Sequence, residues 1–148
     1  MRISVVIVTR GTSHVLARCL AAVLHGTPRP HELVLVDQAT EPSRTEAADD
    51  PLVRVHRTVP LGVSRARNLA ASLATGDHLA FTDDDCVPDG GWLAALGDAI
   101  ERTGAEVASG RVLPLDDGTP GLVPVSSRTD ERFRVVEWGE TAPWTVGT

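Results

Sequence analysis

Lysine is absent from this 148-residue chain, and all fourteen basic side chains are arginine. That excludes a Schiff-base lysine and the lysine of a phosphate-binding P-loop. Tyrosine is also absent, phenylalanine occurs twice, and the chain has a single asparagine, Asn68, and a single glutamine, Gln38. The two cysteines, Cys19 and Cys86, lack metal-ligand spacing and read as free thiols of a reducing compartment. No apolar run approaches the roughly 20 residues a membrane helix needs. The start, MRISVVIVTR, carries no small-residue cleavage site and reads as a buried strand, not a signal peptide. The expected placement is cytoplasmic, extending to peripheral attachment at the inner membrane face. A net charge of −6 without a basic stripe argues against a nucleic-acid partner. It leaves a nucleotide ligand open, because a metal ion can supply local positive charge.

What is present is a succession of β-branched runs and amphipathic stretches. Residues 3–8 (ISVVIV) and 33–36 (LVLV) are continuous apolar runs, as in strands buried on both faces of a parallel sheet. Residues 52–56 and 78–82 predict two further strands, and 106–113 a fifth. Between them, Leu16, Leu20, Val23 and Leu24 form one helical stripe. Ala66, Leu69, Ala70 and Leu73 form a second, with Ser64 as its predicted cap and Gly76 as its close. Trp92, Leu93, Leu96 and Ile100 form a third. Residues 38–51 read as loop or short helix, and 133–138 (FRVVEW) as one more strand. The alternation predicts an α/β domain with a mainly parallel sheet, where ligands bind beyond the carboxyl ends of the strands. That rule gathers Thr9, Arg10, Asp37, Gln38 and Asp83 to Asp85 on one edge.

Three constellations could carry chemistry there. The run Asp83-Asp84-Asp85 offers hard oxygen ligands of the kind Mg²⁺ or Mn²⁺ takes one or two at a time. On an extended segment Asp83 and Asp85 would face one side. The alternative is a solvated acidic turn in which Asp85 or Asp89 caps a helix. GVSRARN, residues 62–68, sets Arg65, Arg67 and Asn68 at a helix start whose free N–H groups suit a diphosphate, or is simply a surface helix start. Asp37 would read a ribose or base edge, or cap its own turn. No GxGxxG follows Gly11, so a dinucleotide fingerprint is missing. The five histidines show no ligand spacing, and neither Ser13 nor Ser64 belongs to a hydrolase triad.

In order, these pieces resemble family 2 glycosyltransferases, inverting enzymes with the GT-A fold. The stretches that carry the resemblance are SVVIVTR at 4–10, RCLAAVL at 18–24, ELVLVDQAT at 32–40, GVSRARNLAASLATGDHLAFTDDDCVPDGGWLAAL at 62–96 and GRVLPL at 110–115. The fourth is long and specific, with a Gly-x-x-x-Ala-Arg-Asn helix start and a DxD motif. The resemblance implies a Rossmann-like nucleotide-diphospho-sugar transferase fold, with residues 1–115 binding the nucleotide sugar. Residues 116–148 would begin an acceptor-side region, and the fold would be C-terminally incomplete.

It further implies that Thr9 and Arg10 lie next to the nucleotide and that Asp37 and Gln38 hold its base. The second of that pair is acidic in the family and an amide here, which puts uracil preference in doubt. Arg67 and Asn68 would lie beside the diphosphate, Asp83 and Asp85 would hold Mn²⁺ or Mg²⁺, and Asp84 would fill the middle of the motif. The family's catalytic base follows a glycine-asparagine-rich stretch that the chain does not reach, so the acceptor is undetermined and the base is expected to be missing. A non-catalytic sugar-nucleotide-binding module is the alternative. A nucleotidyltransferase is disfavoured by the missing glycine-rich, lysine-bearing start. Apolar surface left exposed on the Trp92 helix or at 106–115 would favour a homo-oligomer.

Overall fold

The first four strands that the sequence predicts all form, and they lie parallel. In the computed structural model, which describes residues 1–11, 13–43 and 45–113, they form β1 (Ile3–Thr9), β2 (Glu32–Asp37), β3 (Val53–Arg57) and β4 (His78–Phe81). The four strands make one parallel sheet in the order β3-β2-β1-β4. The two central strands are the two continuous apolar runs, and every residue of β2 is buried. The edge strand β3, with its alternating LVRVH pattern, is largely exposed. Continuous apolarity thus marks the centre of the sheet and alternation its edge.

Helices cover both faces. α1 (Ser13–His25) lays Leu16, Cys19, Leu20, Val23 and Leu24 against Val5 and Ile7 of β1, Leu33 and Leu35 of β2, and Ala80 of β4. Leu93, from α3 (Trp92–Thr103), joins this cluster. On the opposite face α2 (Val63–Leu73) packs Ala66 and Ala70 on Val6, Val34 and Val36. Full burial of a valine or leucine is worth about 1.5–3 kcal/mol, so the α1 face carries the larger share of the core. The alanines of α2 let that helix approach the sheet closely. The result is a three-layer α/β arrangement with a Rossmann-like parallel sheet.

Two boundaries differ from the sequence reading. α2 is capped by Gly62 (φ 83), not by Ser64, which lies inside the first turn. A φ of that sign favours glycine, and no side-chain oxygen bonds the free N–H groups of this turn. α2 also ends at Leu73, ahead of Gly76. Among its described residues, the polar segment between β2 and β3 contains only a short 3-10 helix, Glu46–Asp49.

The chain divides into two compact units, Met1–Gly97 and a second beginning at Asp98. The second opens with the last turns of α3, where Thr103 Oγ1 donates to Ala99 O at 2.7 Å and Gly104 N to Ile100 O at 2.8 Å. The strand expected at 106–113 does not form: the described residues there show only an isolated bridge at Val112. Val107 is 82% exposed. A valine-rich run becomes a strand only where a neighbour pairs with it and buries one face. The expected strand at 133–138 lies outside the described residues. No helix among the described residues is long and apolar enough to cross a membrane.

Candidate functional site

In a parallel sheet every strand ends at the same edge, and a helix that follows a strand begins there. β1 therefore delivers Thr9 and Arg10, β2 delivers Asp37 and Gln38, and β4 runs directly into Asp83-Asp84-Asp85. Thr9 and Asp37 are register partners across β1 and β2. α2, following β3, starts at this edge and carries Arg67 and Asn68 in its first half.

The aspartate run is a turn, not the extended segment on which alternation was expected: Cys86 N donates to Asp83 O at 3.2 Å. Its three carboxylates have different surroundings. Asp83 is exposed, and its Oδ1 accepts a short charge-assisted hydrogen bond from Arg67 Nη2. Asp84 is half-buried, and its Oδ2 accepts from Thr9 Oγ1 at 2.6 Å. The same Thr9 hydroxyl accepts from Gly11 N at 3.1 Å, so one buried side chain ties the aspartate turn to the loop after β1. Asp85 is exposed, with the Cys86 thiol 3.8 Å from its Oδ1.

Beneath the turn, Cys19 Sγ donates to Asp83 O at 3.3 Å. Burial, reinforced by the neighbouring Cys86 thiol and the aspartates, pushes the Cys19 thiol up to about 12. It stays protonated and serves as a fixed donor. Burial likewise raises Cys86. Both cysteines are free, as the spacing predicted.

The end of β2 is occupied by its own loop. Asp37 is 1% exposed; its Oδ1 accepts from Ala39 N at 2.9 Å and Ser43 Oγ at 3.2 Å, and its Oδ2 from Ser43 N at 2.9 Å. Gln38 is 3% exposed and its Oε1 accepts from Leu61 N at 2.7 Å. A backbone N–H demands an acceptor, so this contact fixes which end of the amide faces Leu61 and turns its NH2 group the other way. A groove of about 410 Å³ runs between Gln38–Thr40 and Arg57–Pro60. A second, about 1080 Å³, lies between α1 and the 3-10 helix and includes His14, Arg29 and Glu46 but none of the strand-end residues.

Arg10 and Asn68 are exposed at this edge. The structure thus brings Thr9 to Asp84 and Arg67 to Asp83, and ties Gln38 to the segment leading into α2. Sequence reasoning missed Cys19, Ser43 and the Leu61 N–H. Of these only Cys19 left a signal, lying three residues after Leu16 on the buried stripe of α1.

Among the described residues, no three His, Cys, Asp or Glu side chains come together as a metal cage. The donor set that is present suits a different kind of site. Asp83 and Asp85 are exposed carboxylates on one turn, and Mg²⁺ or Mn²⁺ accepts one or two such ligands and completes its shell with phosphate and water.

Comparison with known proteins bears on the fold and the family. The chain is 27% identical over 121 residues to the glycosyltransferase GlyG of Streptococcus pneumoniae, covering 78% of this chain and 40% of that protein. The structure of S. aureus TarS in complex with UDP-GlcNAc superposes with a TM-score of 0.64 at 23% identity, over 78% of this chain and 37% of that one. The mannosyltransferase PcManGT from Pyrobaculum calidifontis, in complex with GDP-Man and Mn²⁺, superposes with a TM-score of 0.58 at 24% identity, over 71% of this chain and 33% of that one. The chain therefore spans about 40% of the length of GlyG. These likenesses show the GT-A fold. The sequence profile of Glycosyl transferase family 2 matches residues 4–145, and the chain belongs to that family.

Proposed function

We propose that this chain binds the nucleotide-diphosphate sugar of an inverting glycosyltransferase through a divalent metal held by Asp83 and Asp85. The observation that carries the reading is the aspartate turn at the carboxyl end of β4. It is pinned from β1 by Thr9, contacted from α2 by Arg67, and leaves the Asp83 and Asp85 side chains exposed. A structural carboxylate cluster would have its oxygens satisfied from within, as Asp37 does.

When bound, Mn²⁺ or Mg²⁺ supplies positive charge against the leaving diphosphate. Arg67, Asn68 and the first turn of α2 supply the protein's own part: charge, an amide, and N–H groups, bonded by no capping side chain, for the diphosphate oxygens. Thr9 and Arg10 flank the nucleotide. Asp37 acts by holding the loop 38–43 in place beside the 410 Å³ groove, where Gln38 meets the base. With its carbonyl engaged by Leu61, Gln38 offers that base a donor where an acidic residue would offer an acceptor. A donor there pairs with a ring carbonyl, so a base with a carbonyl edge is favoured over one with an amine. The acceptor hydroxyl is deprotonated by a separate carboxylate. Asp116, Asp117, Asp130, Glu131, Glu137 and Glu140 lie outside the described residues, and we assign none of them.

The PcManGT complex with GDP-Man and Mn²⁺ and the TarS complex with UDP-GlcNAc support this class of ligand. Titration calorimetry with UDP, GDP and dTDP, with and without Mn²⁺ or Mg²⁺, tests it. Binding that appears only with metal is the expected result. Binding of no nucleotide under any of these conditions would sink the reading.

A further inference from the structure

We propose that Arg67 is a built-in counter-cation that holds Asp83 until a diphosphate arrives, so that metal and nucleotide bind cooperatively. The inference rests on the metal-dependent donor site proposed above and deepens it.

The three carboxylates of the turn are not equally available. Asp84 is drawn in by Thr9. Asp83 is engaged by the Arg67 guanidinium through Oδ1. Asp85 has the Cys86 thiol at 3.8 Å, a weak donor at long range. A divalent ion approaching the turn therefore meets Asp85 directly, whereas at Asp83 it meets a carboxylate already neutralised by a guanidinium. A divalent ion at Asp83 would sit beside the guanidinium held on Oδ1, and the repulsion between the two cations favours withdrawal of Arg67 as Asp83 becomes a ligand.

The withdrawal is cheap enough to be reversible. The side chains of Arg67 and Asp83 are 40% and 57% exposed. Exposed pairs contribute at most about 1 kcal/mol, which is about fivefold in an equilibrium constant. The released guanidinium also has somewhere to go. It sits on the second turn of α2, behind an N-terminus with no side-chain cap, where a diphosphate would lie. A diphosphate that accepts Arg67 removes it from Asp83, and a metal that takes Asp83 frees Arg67 for the diphosphate. Each ligand thereby helps the other, and the coupling must be the same measured from either side.

Backbone placement supports a positioning role over a merely structural one. Arg67 follows Ala66, which is fully buried against the sheet, while the Arg67 side chain is 40% exposed and reaches Asp83.

The test is Mn²⁺ binding by the full chain, followed by electron paramagnetic resonance of free Mn²⁺, with and without saturating UDP or GDP. Three proteins are compared: wild type, Arg67→Gln and Arg67→Lys. Without nucleotide, Arg67→Gln should bind Mn²⁺ about fivefold more tightly than wild type, because Asp83 is no longer held. With nucleotide the order should reverse, so that the coupling between the two ligands falls at least about tenfold. Arg67→Lys, which keeps the charge but not the fork, should lie between. In an Asp83→Asn background, Arg67→Gln should leave nucleotide-free Mn²⁺ affinity unchanged. A purely structural arginine would lower both affinities together and move neither the coupling nor the sign of the change. Metal-dependent nucleotide binding with the same coupling in wild type and Arg67→Gln overturns this proposal and leaves the donor site standing. No metal-dependent binding by wild type overturns both.

Discussion

Glu32 at the amino edge of the sheet and the aspartate turn after β4 at its carboxyl edge hold their carboxylates in opposite ways. At the amino edge, Glu32 starts β2 and is 6% exposed. Its Oε1 accepts from Ser4 Oγ at 2.8 Å, from Thr75 N at 2.5 Å and from Thr75 Oγ1 at 2.7 Å, and its Oε2 from Arg54 Nη1 at 2.6 Å. At the carboxyl edge Asp83 and Asp85 stand exposed. Burial alone would raise Glu32, but the hydrogen bonds from Arg54, Thr75 and Ser4 overcome it and bring the group down to about 2. A carboxylate saturated from within is a strut, and one left open to solvent on a fixed turn is available to a ligand. The comparison breaks if the open carboxylates prove structural or the closed one proves functional.

The largest effect should come from Asp85→Asn. Loss of a direct ligand exceeds the 10–100-fold that outer-sphere partners cost, so nucleotide affinity in Mn²⁺ should fall by at least about 100-fold. The midpoint of urea unfolding should barely move, because Asp85 is exposed. A fall in stability without loss of affinity would place the run with the struts.

Glu32→Gln tests the other edge. The folded group sits at about 2 against an ordinary 4.5. Its stabilisation is therefore fully present above about pH 4.5 and disappears as pH falls through about 2. With allowance for the half-exposed Arg54, it amounts to about 2–3 kcal/mol at neutral pH. Urea unfolding at neutral pH should show that gap between wild type and Glu32→Gln. The gap should close as the pH is lowered through the window between the two values. Metal-dependent nucleotide affinity of the folded variant should stay at the wild-type value.

Gly76→Ala probes the same strut through shape. A Cβ on Gly76 would meet Ser4 Oγ at 2.6 Å and Arg2 O at 2.7 Å. The backbone would have to retreat, and with it the Gly76 N–H that donates to Ser4 Oγ at 2.9 Å. The expected cost is about 1–3 kcal/mol by urea unfolding, again without a change in nucleotide affinity.

The same contrast explains what was legible in the sequence. The buried strands and the helix stripes were readable because their signal is local: β-branched runs for β1 and β2, and Leu16, Leu20, Val23 and Leu24 for α1. The edge that gathers Thr9, Asp37 and Asp83 followed from strand order alone. The failure at 106–113 has the opposite cause, since Val107 and Val112 have strand composition but are exposed. The cap of α2 was misplaced because Ser64 looks like a cap by chemistry, whereas Gly62 serves by its positive φ. The pairings within the site were not legible at all. Thr9 and Asp84 are separated by 75 residues, Gln38 and Leu61 by 23, and Arg67 and Asp83 by 16, and nothing in composition says which carboxylate meets which partner.

The smallest and sharpest effect belongs to Thr9, which lies at the carboxyl edge beside the aspartate turn but, like Glu32, is buried and bonded from within. It is 1% exposed and bonds both Asp84 Oδ2 and Gly11 N. Thr9→Val keeps its shape and removes its hydroxyl. The lost bond to a carboxylate costs about 1–2 kcal/mol in unfolding free energy. Because the hydroxyl also holds the aspartate turn, nucleotide affinity in Mn²⁺ should fall by about tenfold, as for an outer-sphere partner. Thr9→Ser keeps the hydroxyl and should restore affinity more fully than stability, since it loses a buried methyl but not the bond. Equal losses of affinity in Thr9→Val and Thr9→Ser would mean that packing, not the hydrogen bond to Asp84, sets the turn. The aspartate turn would then lack the internal strut that lets its other two carboxylates stand exposed.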